Sequence, residues 1–395
     1  MDPLVTSDLE AEQIDFARPS ITDDDVAAVE RVLRSGWLTT GEECELLENE
    51  LSAYLGGPHV AAVSSCTAAL EIGLAWLDLP AGIGVAVPTW TFAATGLAAH
   101  RAGAVPVLVD VDPETLNIDP RSLERALATR EIGAVIPVHF AGVPVSPDVR
   151  TVCENAGVPV LEDAAHALGA SEGGEMVNGR GVVGACYSFY VTKNLTCGEG
   201  GALATWDTDF ADFARSYRLH GLDRDAWSRY RPGGKATYDI VHPGIKANLP
   251  DLLATLARSQ LRRFGHHQAI RRELVDRYRM NLEATIIRVV PDEPAEGSAD
   301  HLMVVDIGRR ADRDAVRAIL TEAGVSSSVH FTPLHQFTWF RQHAEIVSGG
   351  LPVADEFAPR MLSLPLHVGL TVDHVDRICT VLLDAVERAN HLGDL

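Results

Sequence analysis

Cysteine is scarce in this sequence, and its placement indicates no cross-linked scaffold. Six cysteines among 395 residues are too few for a disulfide-stabilised fold. They are widely spaced and form no CxxC pair, so the sequence predicts no zinc site and no other metal site. This cysteine usage is typical of a reducing compartment, and we expect a cytoplasmic protein.

Basic residues and long apolar runs are also scarce, which limits the classes of partner that this protein can bind. The chain has 33 Lys and Arg against 55 Asp and Glu, a formal net charge of −22. Such a surface repels nucleic acids and anionic lipids, so we expect neither a nucleic-acid partner nor a membrane partner. No apolar stretch is long enough to cross a bilayer. The acidic start, MDPLVTSDLEAEQ, lacks the basic and apolar layout of a signal peptide.

What the sequence does contain is a regular alternation of short apolar runs and helical stretches over residues 58–205. This pattern predicts an α/β fold with a mostly parallel central sheet, in which ligands bind beyond the carboxyl ends of the strands. Residues 206–245 form a long irregular segment rich in Arg, Tyr, Trp and Gly, and such loops are usually functional. We expect a large domain over residues 1–250, with an N-terminal helical segment, and a small α+β domain over residues 251–395.

Two local patterns carry further structural predictions. The segment ITDDDVAAVERVLRSG predicts a helix that Thr22 caps and Gly36 ends, with Val26, Val29 and Leu33 toward the core. The segment GRGVVG, residues 179–184, matches the dinucleotide pattern G-x-G-x-x-G. That pattern normally follows a strand and opens a helix, whereas this one follows a polar segment and precedes a strand-like one, so we interpret it as a turn.

The segment SFYVTKNLTCGEGG places Lys193 between an apolar strand and a glycine-rich turn. Most lysines are solvated surface charges. Here the neighbouring hydroxyl groups and glycines favour a pocket, and a partly desolvated lysine loses its proton and forms Schiff bases readily.

A second segment, VPVLEDAAHALGA, places Asp163 directly after an apolar strand. One interpretation is that Asp163 caps a helix formed by AAHALGA. The other is that the carboxylate holds a protonated ring nitrogen, since a buried carboxylate needs a cationic partner. Taken together with Lys193, the second interpretation indicates pyridoxal phosphate.

Pyridoxal phosphate also needs a site for its phosphate and a surface for its ring. In SSCTAALEIGL, residues 64–74, hydroxyl residues open an apolar helix, whose N-terminus attracts anions. Simple helix capping explains the same residues equally well. In VPTWTFAAT, Trp90 and Phe92 follow a strand, where an aromatic side chain is more often part of the core.

The combined motifs resemble the DegT/StrS-type sugar aminotransferases, over nearly the whole chain. The resemblance rests on RPSITDDDVAAVERVLRSGWLTTG, EDAAHA, KNLTCGEGG, GIKANLPDL and MLSLPLHVGLT. Within the family the motifs are most similar to the branch that aminates a UDP-4-keto-pentose. The resemblance implies a fold type I enzyme that uses pyridoxal phosphate, with pyridoxamine phosphate formed during turnover.

The resemblance also implies roles for individual residues. Lys193 matches the lysine that forms the Schiff base and moves the proton, Asp163 the carboxylate at the ring nitrogen, and His166 the residue near the phenolic oxygen. The remaining cofactor contacts implied are Ser65, Cys66, Thr67, Phe92 (rather than Trp90), Ser188 and Asn248. Asn248 resembles an asparagine that reaches the phosphate across a dimer interface, which implies a homodimer with shared active sites.

The implied substrates are an amino-acid donor, L-glutamate, and a nucleotide-linked keto sugar, which we expect to be a 4-keto sugar. Residues expected on the substrate side are Trp37, Thr39, Tyr190, Arg229 and His330. Candidates for binding the diphosphate are Arg218, His220, Arg224, Arg229, Arg231 and Lys235, although a solvated loop explains each of them equally well.

Three alternatives use the same residues differently. A cyclitol (inosose) aminotransferase needs the same cofactor chemistry with another pocket. A related sugar dehydratase has histidine in place of the Schiff-base lysine, so Lys193 disfavours it. A non-catalytic homologue is disfavoured because Lys193, Asp163 and the phosphate residues are all retained.

Overall fold

The computed structural model describes residues 13–223 and 237–392, and strands alternate with helices from His59 to Thr205 as predicted. The strands are β1 His59–Val63, β2 Gly84–Pro88, β3 Val105–Val109, β4 Ile132–Val135, β5 Leu161–Asp163, β6 Ser171–Glu172, β7 Glu175–Met176, β8 Gly184–Ser188, β9 Gly201–Thr205, β10 Arg288–Val290, β11 Met303–Asp306, β12 Glu345–Ile346 and β13 Met361–Leu364. The helices are α1 Asp23–Ser35, α2 Glu42–Tyr54, α3 Cys66–Leu77, α4 Ala93–Arg101, α5 Pro120–Thr129, α6 Pro147–Ala156, α7 Thr208–Tyr217, α8 Asp251–Arg262, α9 Phe264–Leu282, α10 Arg313–Glu322, α11 Thr338–His343, α12 Pro352–Phe357 and α13 Val372–Leu392.

The central sheet is mostly parallel, which confirms the predicted fold class. Its strand order is β1-β9-β8-β5 in one half and β12-β3-β2-β4 in the other. Parallel bridges from Val135 to Val160 and from Val138 to Asp163 join the two halves. Only β9 runs against its neighbours among the described strands of this sheet. The carboxyl ends of the parallel strands therefore lie along one edge.

The N-terminal helix α1 begins and ends where the sequence predicts but presents a different face to the core. Thr22 and Asp25 form a capping box, and Gly36 ends the helix with φ of 76°. Val26 and Leu33 are 56% and 54% exposed, so their predicted burial is wrong. The buried face carries Asp25 and Val32 instead, because the Asp25 carboxylate accepts hydrogen bonds from Gln260 (3.2 Å) and Arg263 (2.6 Å) beside helix α8.

The segment GRGVVG is a turn, as predicted. Residues 179–183 form turns and bends, and Gly184 begins β8. A Cβ atom at Gly179 would lie 2.7 Å from the carbonyl oxygen of Ala204, and its φ is +79°. Gly179 therefore allows close backbone packing against the sheet.

A second, three-stranded sheet of order β10-β11-β13 is antiparallel. Helices α9, α10 and α13 pack beside it around a separate apolar core. Residues 334–358 instead pack on the large sheet, where β12 pairs in parallel with β3. The division of the chain into domains at residue 250 stays a prediction.

Helix α13 has 21 residues, the length of a membrane-spanning helix. Its sequence includes Asp373, Asp376, Arg377 and Asp384, and it packs against α9 and α10. Among residues 13–223 and 237–392, we find no helix with both the length and the apolar character needed to span a membrane.

Candidate active site

A cavity of about 470 Å³ opens where the carboxyl ends of β1, β5 and β8 meet. The predicted site residues that line it are Ser65, Cys66, Thr67, Phe92, Asp163, His166, Ser188, Tyr190, Lys193 and His330. The folded chain thus brings together most of the side chains expected to hold the cofactor.

Lys193 lies on the turn that links β8 to β9, at the wall of this cavity. Its backbone N–H donates to the carbonyl oxygen of Tyr190 (2.9 Å). The Thr196 hydroxyl donates to the Phe189 carbonyl (3.1 Å) and accepts from the Gly198 N–H (3.0 Å), which holds the turn. Burial lowers the pKa of Lys193 to about 8, although Cys66 and Asp163 act in the opposite direction. The amine is therefore mostly protonated at pH 7, but about half of it is uncharged at about pH 8, far below the pH at which an exposed lysine loses its proton.

Asp163 ends strand β5, and its carboxylate accepts three hydrogen bonds, one of them from the Cys66 thiol (3.7 Å to Oδ1). The Thr95 hydroxyl donates to Oδ2 (2.8 Å), and the Ala165 N–H donates to Oδ1 (3.1 Å). Burial raises the pKa of Asp163, while the hydrogen bonds from Thr95 and Ala165 lower it and so limit the rise. The hydrogen bonds thus favour the charged form of a carboxyl group that is only 5% exposed.

The capping interpretation of Asp163 is wrong, because residues 164–170 form turns and no helix. Within the described parts of the chain, no Lys or Arg forms an ion pair with this carboxylate. A buried carboxylate without a cationic partner is costly. Asp163 therefore suits a ligand that brings a positive charge, such as a protonated ring nitrogen.

The Thr95 hydrogen bond is open to a direct test. Thr95→Val removes the donor to Asp163, so the carboxylate is less stabilised and its pKa rises further. We expect the acid limb of the kcat/KM profile to move up by about one pH unit. Thr95→Ser keeps the hydroxyl group and serves as the matched control. If the acid limb of the kcat/KM profile does not move in Thr95→Val, this role for Thr95 is refuted.

The phosphate end of the predicted site lies at the N-terminus of α3. The Ser65 Oγ caps the helix by accepting from the Ala68 N–H (3.1 Å), and α3 begins at Cys66. The first N–H groups of a helix have no partner within it, so those of Cys66 and Thr67 suit an anion at the cavity wall. At Gly201, a Cβ atom would lie 2.6 Å from the Cys66 nitrogen, so only glycine lets β9 approach this closely.

Aromatic side chains form another wall of the cavity. Phe92 is 63% exposed and lines the cavity, with its ring centroid 6.1 Å from that of Phe331. Trp90 is fully buried, and its Nε1–H donates to the His330 carbonyl oxygen (3.1 Å). The His330 ring stacks on Phe16 (5.4 Å between centroids). Phe92, rather than Trp90, is therefore placed to pack on a ligand ring.

Three of the predicted residues lie away from this cavity. Asn248 and Thr39 line a second cavity of about 440 Å³, together with His220. The Asn248 Nδ2 donates to the Thr40 hydroxyl (2.6 Å), and the Trp37 Nε1–H donates to the Thr40 carbonyl oxygen (3.2 Å). A single chain does not bring Asn248, Thr39 or Trp37 to Lys193.

Of the six residues predicted to bind the diphosphate, the structure describes two, Arg218 and His220. Arg218 is buried, where its guanidinium bonds Glu48 and the Ala62 carbonyl oxygen. This pairing gives Arg218 a structural environment. The other arginines and the lysine of the predicted set, Arg224, Arg229, Arg231 and Lys235, lie outside the described residues.

Sequence reasoning missed Thr95, Asn194 and His301. Thr95 stands at the third position of α4, and its link to Asp163 joins two elements 68 residues apart. His301 lines the cavity from the loop that precedes β11. Asn194 follows Lys193 directly, and this adjacency was the one signal available in the sequence.

With this geometry established, comparison with known proteins decides the family. Residues 19–383 match the DegT/DnrJ/EryC1/StrS aminotransferase family. The chain belongs to this family. It is a sugar aminotransferase that depends on pyridoxal phosphate, and it has the type I fold of such enzymes.

Individual members of the DegT/DnrJ/EryC1/StrS family are similar over almost their full length. The spore coat polysaccharide biosynthesis protein SpsC of Bacillus subtilis (strain 168) is 36% identical over 381 residues, which cover 95% of this chain and 97% of SpsC. Spr1654 of Streptococcus pneumoniae, described as a sugar aminotransferase and solved in its PMP form, is 30% identical with a TM-score of 0.89, over 97% of this chain and 100% of that one. DesI, solved in the presence of its TDP-sugar product, is 27% identical with a TM-score of 0.85, over 97% and 95% of the two chains.

The side chains of this family member fit pyridoxal phosphate. Lys193 supplies an amine with a lowered pKa, and Asp163 is a buried carboxylate with which no Lys or Arg of the described residues forms an ion pair. The N-terminus of α3 offers N–H groups to a phosphate, and Phe92 offers a ring. All four features face one cavity, so each part of the cofactor finds a group of matching chemistry.

Proposed function

We propose that this chain transfers an amino group from L-glutamate to the carbonyl group of a 4-keto sugar carried on a nucleoside diphosphate. The observation that carries the proposal is the meeting of Lys193 and Asp163 in one cavity. DesI, a relative solved with a TDP-sugar product, supports the nucleotide-linked substrate. The role in amino-sugar biosynthesis follows from this reaction.

In this proposal each residue has a defined task. Pyridoxal phosphate, when bound, supplies a protonated ring that accepts electrons from the bonds of the reacting carbon. Asp163 keeps the ring nitrogen protonated through a charge-assisted hydrogen bond. The Lys193 Nζ takes the proton from the donor carbon and returns a proton to the sugar carbon, which requires the uncharged amine favoured by its burial. Donor and sugar use the cavity in turn, so the kinetics are ping-pong.

Binding of the cofactor is assigned to the remaining residues of the cavity. Ser65, Cys66, Thr67 and Ser188 hold the phosphate, Phe92 packs on the ring, and His166 approaches the phenolic oxygen. Tyr190 and His330 are assigned to the substrate side of the same cavity. These assignments rest on the cavity lining and on the family resemblance.

The active site is proposed to be shared between two copies of this chain. Asn248 and Thr39 line the second cavity, where the exposed Lys246 bonds Asn248 (2.5 Å). This cavity offers cationic and amide groups for phosphates, while none of the described residues that line the cavity at Lys193 is an arginine. A homodimer in which each second cavity completes the partner's site would bring these groups to the cofactor phosphate and the substrate diphosphate.

Mixed dimers test the shared site. Lys193→Met and Asn248→Ala each impair both sites of their own homodimer at limiting cofactor. If the sites are shared, a hybrid dimer of the two variants carries one intact site, and random mixing restores about a quarter of wild-type activity. Activity of the mixture is compared with that of each variant alone, after joint refolding. A mixture no more active than the separate variants would contradict shared sites.

The proposed location of this enzyme is the cytoplasm. All six cysteines are buried and unpaired. Free thiols of this kind are maintained in reducing compartments.

A panel of acceptors tests the proposed function. The purified holoenzyme is assayed with L-glutamate and nucleotide-linked 3-keto and 4-keto sugars, and the aminated carbon is identified by NMR. Inososes are included because a cyclitol aminotransferase uses the same cofactor residues. We expect amination at C4 of a nucleotide sugar. Amination of an inosose alone, or dehydration without amination, would contradict the proposal.

A further inference from the structure

His301 is a buried residue of the cavity that the proposed reaction does not yet use. Its backbone N–H donates to the Ala141 carbonyl oxygen (2.9 Å), and its own carbonyl accepts from Arg271 Nη2 (2.7 Å). These bonds fix the backbone, and the ring lines the same cavity as Lys193 and His166. His301 is therefore presented to the ligand by a rigid frame.

The neighbour of Lys193 determines which nitrogen of His301 carries the proton. The Asn194 Nδ2 donates to the Ala299 carbonyl oxygen (2.7 Å) and to the Gln268 Oε1 (3.0 Å). Both amide hydrogens are thereby engaged, so the Asn194 Oδ1 is the atom that faces the His301 Nδ1 at 2.9 Å. An amide oxygen only accepts, and the Nδ1 must therefore carry the proton.

The second nitrogen of His301 is then a free acceptor. Burial, together with nearby His166, Lys193 and Arg271, lowers the pKa of His301 well below its usual range, so the ring is neutral. A neutral imidazole with its proton on Nδ1 has a lone pair on Nε2. In the described parts of the chain no group hydrogen-bonds to this Nε2.

His166 has the opposite arrangement. Its Nδ1 accepts from the Ala141 N–H (3.3 Å), and burial keeps the ring neutral by lowering its pKa well below the usual range. The proton of His166 therefore lies on Nε2. The two ring centroids are 4.3 Å apart. Side by side, the two rings provide one donor and one acceptor to the cavity.

We propose that His301 is a substrate-binding residue whose Nε2 accepts a hydrogen bond from a hydroxyl group of the keto sugar. The inference rests on the proposed function, since it names the part of the sugar that this cavity recognises. A lone pair at this position favours a hydroxyl donor and repels the carboxylates of the amino-acid donor. His301 therefore acts in the sugar half of the reaction.

Two substitutions separate this role from a structural one. His301→Asn keeps a donor near the Nδ1 position, for the bond to Asn194, but has no atom at the Nε2 position. His301→Gln loses the bond to Asn194 but places an amide oxygen near the Nε2 position. Each variant and the exposed control His266→Asn is assayed with the accepted nucleotide keto sugar and with its monodeoxy analogues. Thermal unfolding verifies that each variant is folded.

The expected pattern is specific to a hydrogen bond with the substrate. The wild-type enzyme loses about tenfold in kcat/KM on one monodeoxy analogue, the worth of one hydrogen bond. His301→Asn loses about tenfold on the full sugar and discriminates against that analogue no further, whereas His301→Gln keeps most of the wild-type discrimination. The inference would be overturned if His301→Asn still discriminated against the monodeoxy analogue as strongly as the wild type does. It would also be overturned if His301→Gln lost activity and His301→Asn did not. A wild-type enzyme that aminates no nucleotide sugar refutes the proposed function instead.

The tautomer provides a readout that does not depend on activity. In protein labelled with ¹⁵N-histidine, long-range ¹H–¹⁵N spectra report the protonated nitrogen, and His301→Gln identifies the signals of His301. We expect the proton on Nδ1 and a shift of the Nε2 signal when the amino-sugar product binds. A proton on Nε2, or an Nε2 signal that the product leaves unmoved, would contradict the inference.

Discussion

Lys193→Met is expected to lower transamination by about 10⁴-fold while making the cofactor-free protein more stable at pH 7. The loss of activity follows because methionine has no amine to bind the cofactor or to move a proton. The gain in stability follows because burial lowers the pKa of Lys193 to about 8 from 10.5. At about 1.4 kcal/mol per unit, the charged amine costs up to about 3 kcal/mol in the folded state.

The size of this stability difference depends on pH. Below about pH 8 the amine is protonated in both the folded and the unfolded chain, so the folded state bears the full cost. Between about pH 8 and 10.5 the folded chain loses the proton first, and wild-type stability rises toward that of the variant. The stability advantage of Lys193→Met is therefore full at pH 7 and declines toward pH 10.

Urea unfolding of the cofactor-free proteins at pH 7 and 9.5 measures this difference. Lys246→Met is the matched control, because Lys246 is exposed and its loss should change the unfolding free energy by less than about 0.5 kcal/mol. A methionine variant at position 193 that is less stable than wild type at pH 7 would show that the amine is well solvated. Residual turnover near the wild-type level would refute the catalytic assignment.

The fold and the centre of the site were predictable because they depend on local patterns. Apolar runs gave the strands, and the rule that ligands bind at the carboxyl ends of parallel strands led to Asp163 and to the Lys193 turn. The chain contains only three lysines, at positions 193, 235 and 246, which further narrows the choice of a Schiff-base residue.

What the sequence did not predict depends on contacts between distant segments. Thr95 and His301 enter the site from elements far from Asp163 and Lys193 in the chain, so no local spacing indicates them. The prediction of which face of α1 is buried was wrong for the same reason. Its inward face is set by Arg263 and Gln260, which draw Asp25 inward and leave Val26 exposed.

The strand pattern thus determines where the site lies, and polar tertiary contacts adjust the pKa values of its residues. Asp163 and Lys193 lie in the same cavity, and burial acts on both by opposing their charged forms. The Thr95 hydrogen bond limits the rise in the pKa of Asp163, whereas the pKa of Lys193 stays lowered to about 8. At about pH 8, half of the Lys193 amine is therefore uncharged, while the hydrogen bonds to Asp163 favour its carboxylate form. Transamination requires these two states together.

Asp163→Ala tests this arrangement through the charge rather than the shape of the side chain. With pyridoxal phosphate we expect turnover to fall by about 10³-fold, because the ring nitrogen loses the carboxylate that keeps it protonated. A cofactor analogue with a methyl group on that nitrogen carries a permanent positive charge, and the shortened side chain leaves room for the methyl group. The analogue should therefore restore much of the activity of Asp163→Ala.

In the wild-type enzyme the same analogue should be a poor cofactor, because its methyl group meets Asp163, which Thr95 and Ala165 hold in place. This crossed pattern distinguishes an electrostatic role from a packing role. If Asp163 served only to fill space, the methylated cofactor would not rescue the alanine variant. Wild-type turnover of Asp163→Ala with the natural cofactor would contradict the assignment of Asp163 altogether. It would show that the cofactor's ring nitrogen does not need the carboxylate of the wild-type enzyme.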